Sequence, residues 1–217
     1  MPAPPSSVVS YDNSAISAYE NTVASGSPFT WTQPTTAGAY AVVAVFGSSN
    51  ANEITTAATY AVTYGGVSMG TALGSVEVGN TTGEGNIWVW GLANVPGGTP
   101  TISVTFTQSG DSFQGYGTSC TYLSVSSVGA LQTAYGSSVA PSVAVTSAVG
   151  NRVWGAVSNA AGNTFSAFSL ANTRQLINTS SNYPTFLAGD TPGAPTVTVS
   201  ATVNVSYYWG AVGLNLT

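Results

Sequence analysis

Short runs of alternating apolar and polar residues, separated by glycine, proline and asparagine, constrain the fold of this chain more than any other feature. In Thr101–Thr107 the apolar residues Ile102, Val104 and Phe106 alternate with threonine and serine, and residues 196–200 repeat the pattern. Side chains two residues apart lie on one face of a strand, so each run predicts a strand with one packed face. No apolar stripe with the period of a helix accompanies them.

Turn residues separate the predicted strands. Residues 64–67 (Tyr-Gly-Gly-Val) predict a tight hairpin, because glycine adopts the positive φ angles that such turns require. Residues 95–100 and 189–193 contain proline and glycine and are predicted to interrupt the sheets. We therefore predict an all-β fold, an antiparallel and jelly-roll-like β-sandwich. No linker divides the chain, so we predict one sandwich domain over residues 7–217, after an extended N-terminal arm at residues 1–6.

Three Trp-Gly pairs lie inside apolar runs: Trp90-Gly91, Trp154-Gly155 and Trp209-Gly210. Large aromatic side chains favour central strands, and a following glycine relieves crowding or marks a bulge. We therefore interpret all three runs as core strands rather than as a platform for a ligand. Their unequal spacing and different neighbours argue against a repeat array.

The chain is almost without basic side chains: it has no histidine, no lysine and two arginines, Arg152 and Arg174. A serine-hydrolase triad needs such a base, and nucleic-acid binding needs a basic surface, so we predict neither activity. Charged residues make up 4% of the chain, against roughly 25% in ordinary soluble domains. Neighbouring proteins can pack against such a surface without desolvating ions, which favours an assembly surface; a neutral extracellular domain is the alternative.

Acidic residues offer little catalytic chemistry. Glu77 and Glu84 bracket residues 79–83, so a hairpin there can bring two carboxylates together as glycoside hydrolysis requires. Acids beside a polar loop are more often solvated, and we predict no catalytic residues and no enzyme activity. Asp111 and Asp190 can ligate calcium, but no loop has the necessary density of oxygen ligands. We predict no metal and no cofactor.

Several features bear on the compartment. Cys120 is the only cysteine, so it forms no disulfide within the chain, and its alternating run predicts a buried position. Residues 1–7 lack the basic start and apolar core of a secretory signal. The longest apolar run, residues 39–46, is too short to span a membrane, so we predict no membrane insertion. These features predict synthesis in a cytoplasm.

Aromatic side chains in polar surroundings suggest a second possibility. Sugars are held by aromatic stacking and neutral hydrogen bonds, and Trp31, Tyr116 and Tyr183 have the most polar or loop-like neighbours. If exposed, they can contact a glycan; if buried, they belong to the core, which is the more common case.

Three stretches resemble a β-sandwich domain of structural proteins from actinobacterial phages, often described as minor tail proteins. They are residues 60–69 (Tyr-Ala-Val-Thr-Tyr-Gly-Gly-Val-Ser-Met), residues 87–92 (Ile-Trp-Val-Trp-Gly-Leu) and residues 96–106. The resemblance covers residues 38–128, and its motifs are turn glycines and core aromatics. The sequence departs from the family pattern at residues 119–128, where residues 125–129 (Val-Ser-Ser-Val-Gly) stand in place of the expected Gly-Val turn and closing polar residue. The resemblance implies a sandwich fold and a place in a virion.

From these observations we expect a non-enzymatic virion structural protein on the exterior of a bacteriophage, either a minor tail protein or a head decoration protein. The expected partners are other capsid or tail proteins and further copies of the chain. Pro2, Pro4 and Pro5 lie in the predicted arm that reaches a neighbour. The alternative is a glycan-binding module, either secreted or acting as a phage adhesin that contacts a cell-surface glycan.

Overall fold

A computed structural model describes residues 8–49, 59–80, 84–108, 112–160, 163–178 and 185–217. The described residues form strands joined by turns, apart from a short 3-10 helix at Val78–Asn80. The strands are β1 (Ser10–Ile16), β2 (Glu20–Ala24), β3 (Pro28–Thr32), β4 (Tyr40–Ser49), β5 (Thr59–Tyr64), β6 (Val67–Ser68), β7 (Gly74–Glu77), β8 (Asn86–Leu92), β9 (Thr101–Thr107), β10 (Ser112–Leu123), β11 (Gln132–Ser138), β12 (Ser142–Thr146), β13 (Arg152–Asn159), β14 (Phe165–Phe168), β15 (Asn172–Ile177), β16 (Thr185–Pro192), β17 (Thr196–Val203) and β18 (Tyr207–Leu216). The prediction of an all-β antiparallel fold is confirmed.

The first half of the chain forms a sandwich of two sheets. One sheet has the order β1-β10-β4-β8-β7, with β2 also paired to β10, and the other has the order β3-β9-β5-β6. Strands pair from the ends of the half inward: β1 with β10, β3 with β9 and β4 with β8. This is the pairing of a hairpin rolled up on itself, the strand order typical of a jelly roll. The apolar faces of β4, β8 and β9 meet in a core that contains Val43, Trp90 and Val104.

The second half repeats this plan strand for strand. Its sheets have the orders β11-β18-β13-β16-β15 and β12-β17-β14. Thus β11, β18, β13, β16 and β15 occupy the places of β1, β10, β4, β8 and β7, while β12, β17 and β14 occupy those of β3, β9 and β5. The described residues therefore form two sandwiches with the same strand order, with β2 and β6 as additions to the first.

The two sandwiches stack through their larger sheets. The shared middle core includes Val42 and Phe46 from β4, Trp154 from β13 and Val212 from β18. The rings of Phe46 and Phe186 are stacked across it with their centres 4.0 Å apart. Both middle sheets are thus covered on two faces, which explains why β4 is a continuous apolar run rather than an alternating one.

The strand β16 differs from its prediction. Residues 189–193 were predicted to interrupt a sheet, but β16 continues through Pro192, with Trp154 paired to Asp190 and Arg152 paired to Pro192. Asp190 is tolerated in this strand because Arg152 and Arg174 compensate its charge, and Pro192 is the exposed last residue of the strand. Residues 7–217 were predicted to form one sandwich domain, and the described part of this range holds two pairs of facing sheets that share a core. Whether they form one domain or two stays a prediction. The predicted arm, with Pro2, Pro4 and Pro5, lies outside the described residues.

Candidate functional site

Trp31 belongs to the core of the first sandwich. Its exposed fraction is 7%, and its Nε1 donates a hydrogen bond of 2.9 Å to Ser119 Oγ on β10, in the facing sheet. The ring stacks on Phe29, and Gly117 makes room for it, because a Cβ there would lie 2.4 Å from the indole. Trp31 therefore joins the two sheets and offers no exposed ring face to a sugar.

Tyr116 lies at the margin of the middle core. Its exposed fraction is 8%, and its ring contacts Tyr19 at 5.1 Å and Phe186 at 5.5 Å between ring centres. Like Trp31, it presents no free ring face, because packing between the sandwiches covers it. Tyr183, the third predicted glycan contact, lies outside the described residues, and its role stays a prediction.

The carboxylates with described contacts serve the packing of the fold. Glu84 Oε1 accepts a hydrogen bond of 3.3 Å from the hydroxyl of Tyr207, which links the two halves. Asp12 accepts hydrogen bonds from the backbone amide and hydroxyl of Thr36 and from the hydroxyl of Thr121. Among the described residues, no group of three or more potential metal-binding side chains occurs. Asp111, one of the calcium ligands considered, is outside the described residues.

Asp190 is the most elaborately bound polar side chain in the described structure. Its carboxylate is fully buried, and both arginines of the chain bind it. Arg152 donates to Oδ1 from Nε at 2.7 Å, and Arg174 donates to Oδ2 from Nε at 2.5 Å. Asn172 Nδ2 and the hydroxyl of Tyr122 add hydrogen bonds of 3.1 Å and 3.3 Å. A buried carboxylate is tolerated when opposite charges and donors surround it in this way.

This cluster joins the two sandwiches. Asp190 and both arginines belong to the second half, whereas Tyr122 and Tyr11 belong to the first. The guanidinium of Arg174 also lies over the ring of Tyr11. Burial lowers the pKa of Arg174, but its hydrogen bond to Asp190 and the charge of Asp190 outweigh that effect and raise the pKa overall. The sequence suggested two isolated arginines; the fold brings both to one carboxylate.

Cys120 is a buried core residue, as its sequence pattern predicted. It lies in β10, is 1% exposed and packs in the middle core. Its thiol donates a hydrogen bond of 3.7 Å to Gln175 Oε1 on β15. Burial, together with the charge of Asp190, raises the pKa of the thiol to about 12. A thiol in this state is neither a nucleophile nor a metal ligand near neutral pH.

A cavity opens at the edge of the first sandwich, which we call the edge groove. Its volume is about 380 Å³, and it lies between β5 and β8, where the chain crosses from β6 to β7. The lining includes Tyr60, Trp88, Trp90, Thr59, Thr71 and Ala72 and has no charged side chain among its described residues. A cavity of this size falls in the range of small-molecule binding sites, about 300–1,000 Å³.

Two polar atoms on residues that line the edge groove have no hydrogen-bond partner within the described part of the chain. They are the hydroxyl of Tyr60 and Nε1 of Trp88, and both are enclosed. The rings of these residues lie 5.4 Å apart, centre to centre. Burial raises the pKa of Tyr60 far above its ordinary value, so the hydroxyl stays protonated. Most buried polar atoms in proteins are paired. Unpaired ones occur elsewhere among the described residues too, for example Oε1 of Gln33 and Oδ1 of Asn86, but the atoms of Tyr60 and Trp88 belong to residues that line a cavity.

The second sandwich has a smaller cavity at the equivalent edge. It lies between β14 and the strands β15 and β16, has a volume of about 130 Å³ and is lined by Phe165, Phe168, Leu176 and Leu187. Among its described lining residues, no buried polar side-chain atom lacks a partner. The two halves therefore share a place for a groove but differ in its chemistry.

Comparisons with known proteins add nothing to these observations: no protein-family model, curated protein or solved structure matches this chain. Within the ranges that the structure describes, there is no helix with the length and apolar character needed to cross a membrane.

Proposed function

We propose that this protein is a non-enzymatic structural protein on the exterior of a bacteriophage particle, either a minor tail protein or a head decoration protein. The observation that carries the proposal is the four-layer stack, whose two outer sheets present uncharged faces. Its partners are other virion proteins and further copies of the chain.

The outer faces consist of small neutral side chains. On the first sandwich, exposed Thr30 and Thr32 on β3 lie beside Thr101 and Ser103 on β9. On the second sandwich, β12 and β17 expose a similar set: Ser142, Ala144, Thr146, Thr196, Thr198 and Thr202. Another protein can cover such faces without the desolvation cost of burying ions. Broad neutral faces on opposite sides of one body suit an assembly component.

The joint between the sandwiches supports a structural role as well. The middle core and the Asp190 cluster both tie the halves together. Because the interface between the two sandwiches is tightly packed, the two outer sheets are held at a fixed separation. The resemblance of residues 38–128 to phage tail proteins supplies the setting, and an exposed virion protein of this kind also suits a role in attachment to the host surface.

The proposal is tested on particles and on the purified chain. We expect antibodies against the chain to label the exterior of intact phage particles, and cryo-EM to place the chain on the head or tail. Absence of the chain from purified particles would overturn the proposal. In sedimentation velocity, we expect self-association that changes little between about 0.1 and 1 M NaCl. Salt at the upper concentration screens exposed charges strongly, so contacts between neutral faces should persist.

A charge placed on an outer face tests the surface itself. We expect Thr198→Glu to weaken both self-association and incorporation into particles, because the new carboxylate must be desolvated in the contact. Thr133→Glu, on the exposed edge strand β11, is the matched control and should assemble normally. Equal assembly of both variants would show that the outer face is not the contact.

A further inference from the structure

We propose that the edge groove of the first sandwich binds a neutral sugar ring, with Trp88 and Tyr60 as its main contacts. Sugar binding is an activity separate from assembly, because the groove belongs to a single chain and can be tested on the purified protein without phage particles. It also differs from the glycan site suggested by the sequence, whose residues Trp31 and Tyr116 are buried elsewhere.

The lining of the groove matches the two faces of a sugar. Half-buried Trp88 is backed by Trp90, which is 1% exposed, with their ring centres 6.2 Å apart, and half-buried Tyr60 lies beside both, so Trp88 and Tyr60 supply the accessible aromatic surface. Aromatic surfaces of this kind pack against the C–H face of a pyranose ring. Thr59 and Thr71 add neutral hydroxyl groups to the same cavity. A phosphorylated or acidic ligand would find no cation among the described lining residues.

The unpaired donors identify the polar half of the ligand. A buried N–H or O–H without a partner destabilises the folded chain, and a ligand that supplies an acceptor removes this cost. A sugar hydroxyl can accept from Nε1 of Trp88 and exchange a hydrogen bond with the hydroxyl of Tyr60. An acyl chain would leave both donors unpaired, so the polar atoms favour a sugar over a lipid. Since both atoms are enclosed, the Trp88 ring must tilt when the ligand enters.

The equivalent groove of the second sandwich serves as a control within the same chain. It has Phe168 and Leu187 in its wall, about one third of the volume, and none of the unpaired donors. We therefore expect sugar binding at the first groove and not at the second.

The experiment is saturation-transfer NMR on the purified chain with maltose, cellobiose, lactose and trehalose as probes. We expect at least one of them to receive saturation through its ring C–H protons. Trp88→Phe should weaken that binding at least tenfold. Tyr60→Phe should weaken it about fivefold, the equivalent of one net hydrogen bond. Phe168→Leu, in the second groove, should bind within twofold of the natural chain.

A stability measurement separates binding from folding. Tyr60→Phe removes an unpaired buried hydroxyl and keeps the ring, so we expect its thermal midpoint to rise by about 2–4 °C while its sugar affinity falls. The proposal is overturned if none of the four probes binds, if Tyr60→Phe and Trp88→Phe bind as well as the natural chain, or if Phe168→Leu weakens binding equally. Sugar binding by a chain that is missing from phage particles would leave this site intact and reject only the assembly proposal.

Discussion

The guanidinium carbon of Arg174 lies 3.4 Å from the centre of the Tyr11 ring, so a cation from the second sandwich covers an aromatic side chain from the first. The same guanidinium donates two hydrogen bonds to buried Asp190. A planar, delocalised cation can satisfy a carboxylate with its edge and a ring with its face at once. In a chain with so few charges, this arrangement concentrates both basic residues at the joint between the halves.

The first prediction concerns Asp190→Asn. The change leaves Arg152 and Arg174 without their carboxylate, so we expect a loss of about 3–5 kcal/mol in the free energy of unfolding. Urea denaturation at pH 7 measures it. Arg174→Lys is the companion variant: it keeps the charge but loses the planar fork and the contact with Tyr11, and we expect a smaller loss. A change below about 0.5 kcal/mol for Asp190→Asn would mean that the cluster does not stabilise the joint.

The second prediction concerns the thiol of Cys120. Because burial and Asp190 raise its pKa to about 12, we expect no modification by iodoacetamide in the folded chain at pH 8. In 8 M urea, roughly the strength that unfolds most domains, the thiol should react at the rate of a free cysteine. Mass spectrometry follows both reactions. Rapid labelling of the folded chain would show that β10 opens readily to solvent.

The strand β16 shows where sequence reasoning stops. Gly189, Asp190 and Pro192 have the composition of a turn, yet they lie in β16. Gly189 and Asp190 are buried and pair with both β13 and β15, and Pro192 is the exposed last residue of the strand. The signal that makes this possible is spread over β13 and β15, since Arg152 and Arg174 are distant in sequence from Asp190. The strand propensities of neighbouring residues do not report on such distant ion pairs. Runs such as Thr101–Thr107, whose alternation is visible within the run itself, were predicted with correct boundaries.

The duplication was hidden for a related reason. The Trp-Gly pairs, which are the visible echo in the sequence, lie on β8, β13 and β18, and these strands are not equivalent between the halves. The true correspondence is one of strand order, which pairing alone reveals. The edge groove could not be predicted from the sequence either, because Tyr60 and Trp88 have the pattern of core residues. The cavity beside them arises only where the chain crosses from β6 to β7.

The third prediction concerns Gly155, the glycine that follows Trp154. A Cβ at this position would lie 2.5 Å from Cγ2 of Val199, in the facing sheet. We therefore expect Gly155→Ala to cost about 1–3 kcal/mol by overpacking. Gly129→Ala is the matched control, because its nearest neighbour, Cβ of Asn215, lies at an ordinary 3.5 Å. Chemical denaturation of both variants measures the difference, and equal stability would show that the facing sheets separate to accept the methyl group.

The fourth prediction concerns pH. Burial alone would raise the pKa of Asp12, but hydrogen bonds from Thr36 and Thr121 hold it below its ordinary value of 3.8. A carboxyl whose pKa is lower in the folded state stabilises the fold above its unfolded pKa, and this contribution is lost as the pH falls through the folded pKa. We therefore expect Asp12→Asn to be less stable than the natural chain at pH 7, with a difference that shrinks below pH 3.8.

Glu20 provides a control of opposite sign. Burial raises its pKa above the ordinary value of 4.5, so stability falls as the pH rises through 4.5, and the ionised side chain destabilises the fold in full above the raised pKa. We expect Glu20→Gln to be at least as stable as the natural chain at pH 7 and to lose any advantage below pH 4.5. Urea denaturation of both variants between pH 3 and pH 7, about the range in which carboxyls titrate, measures these trends. Parallel stability curves for Asp12→Asn and the natural chain would contradict the hydrogen bonds assigned to Asp12, because removal of a carboxyl with a shifted pKa must change the slope of stability against pH.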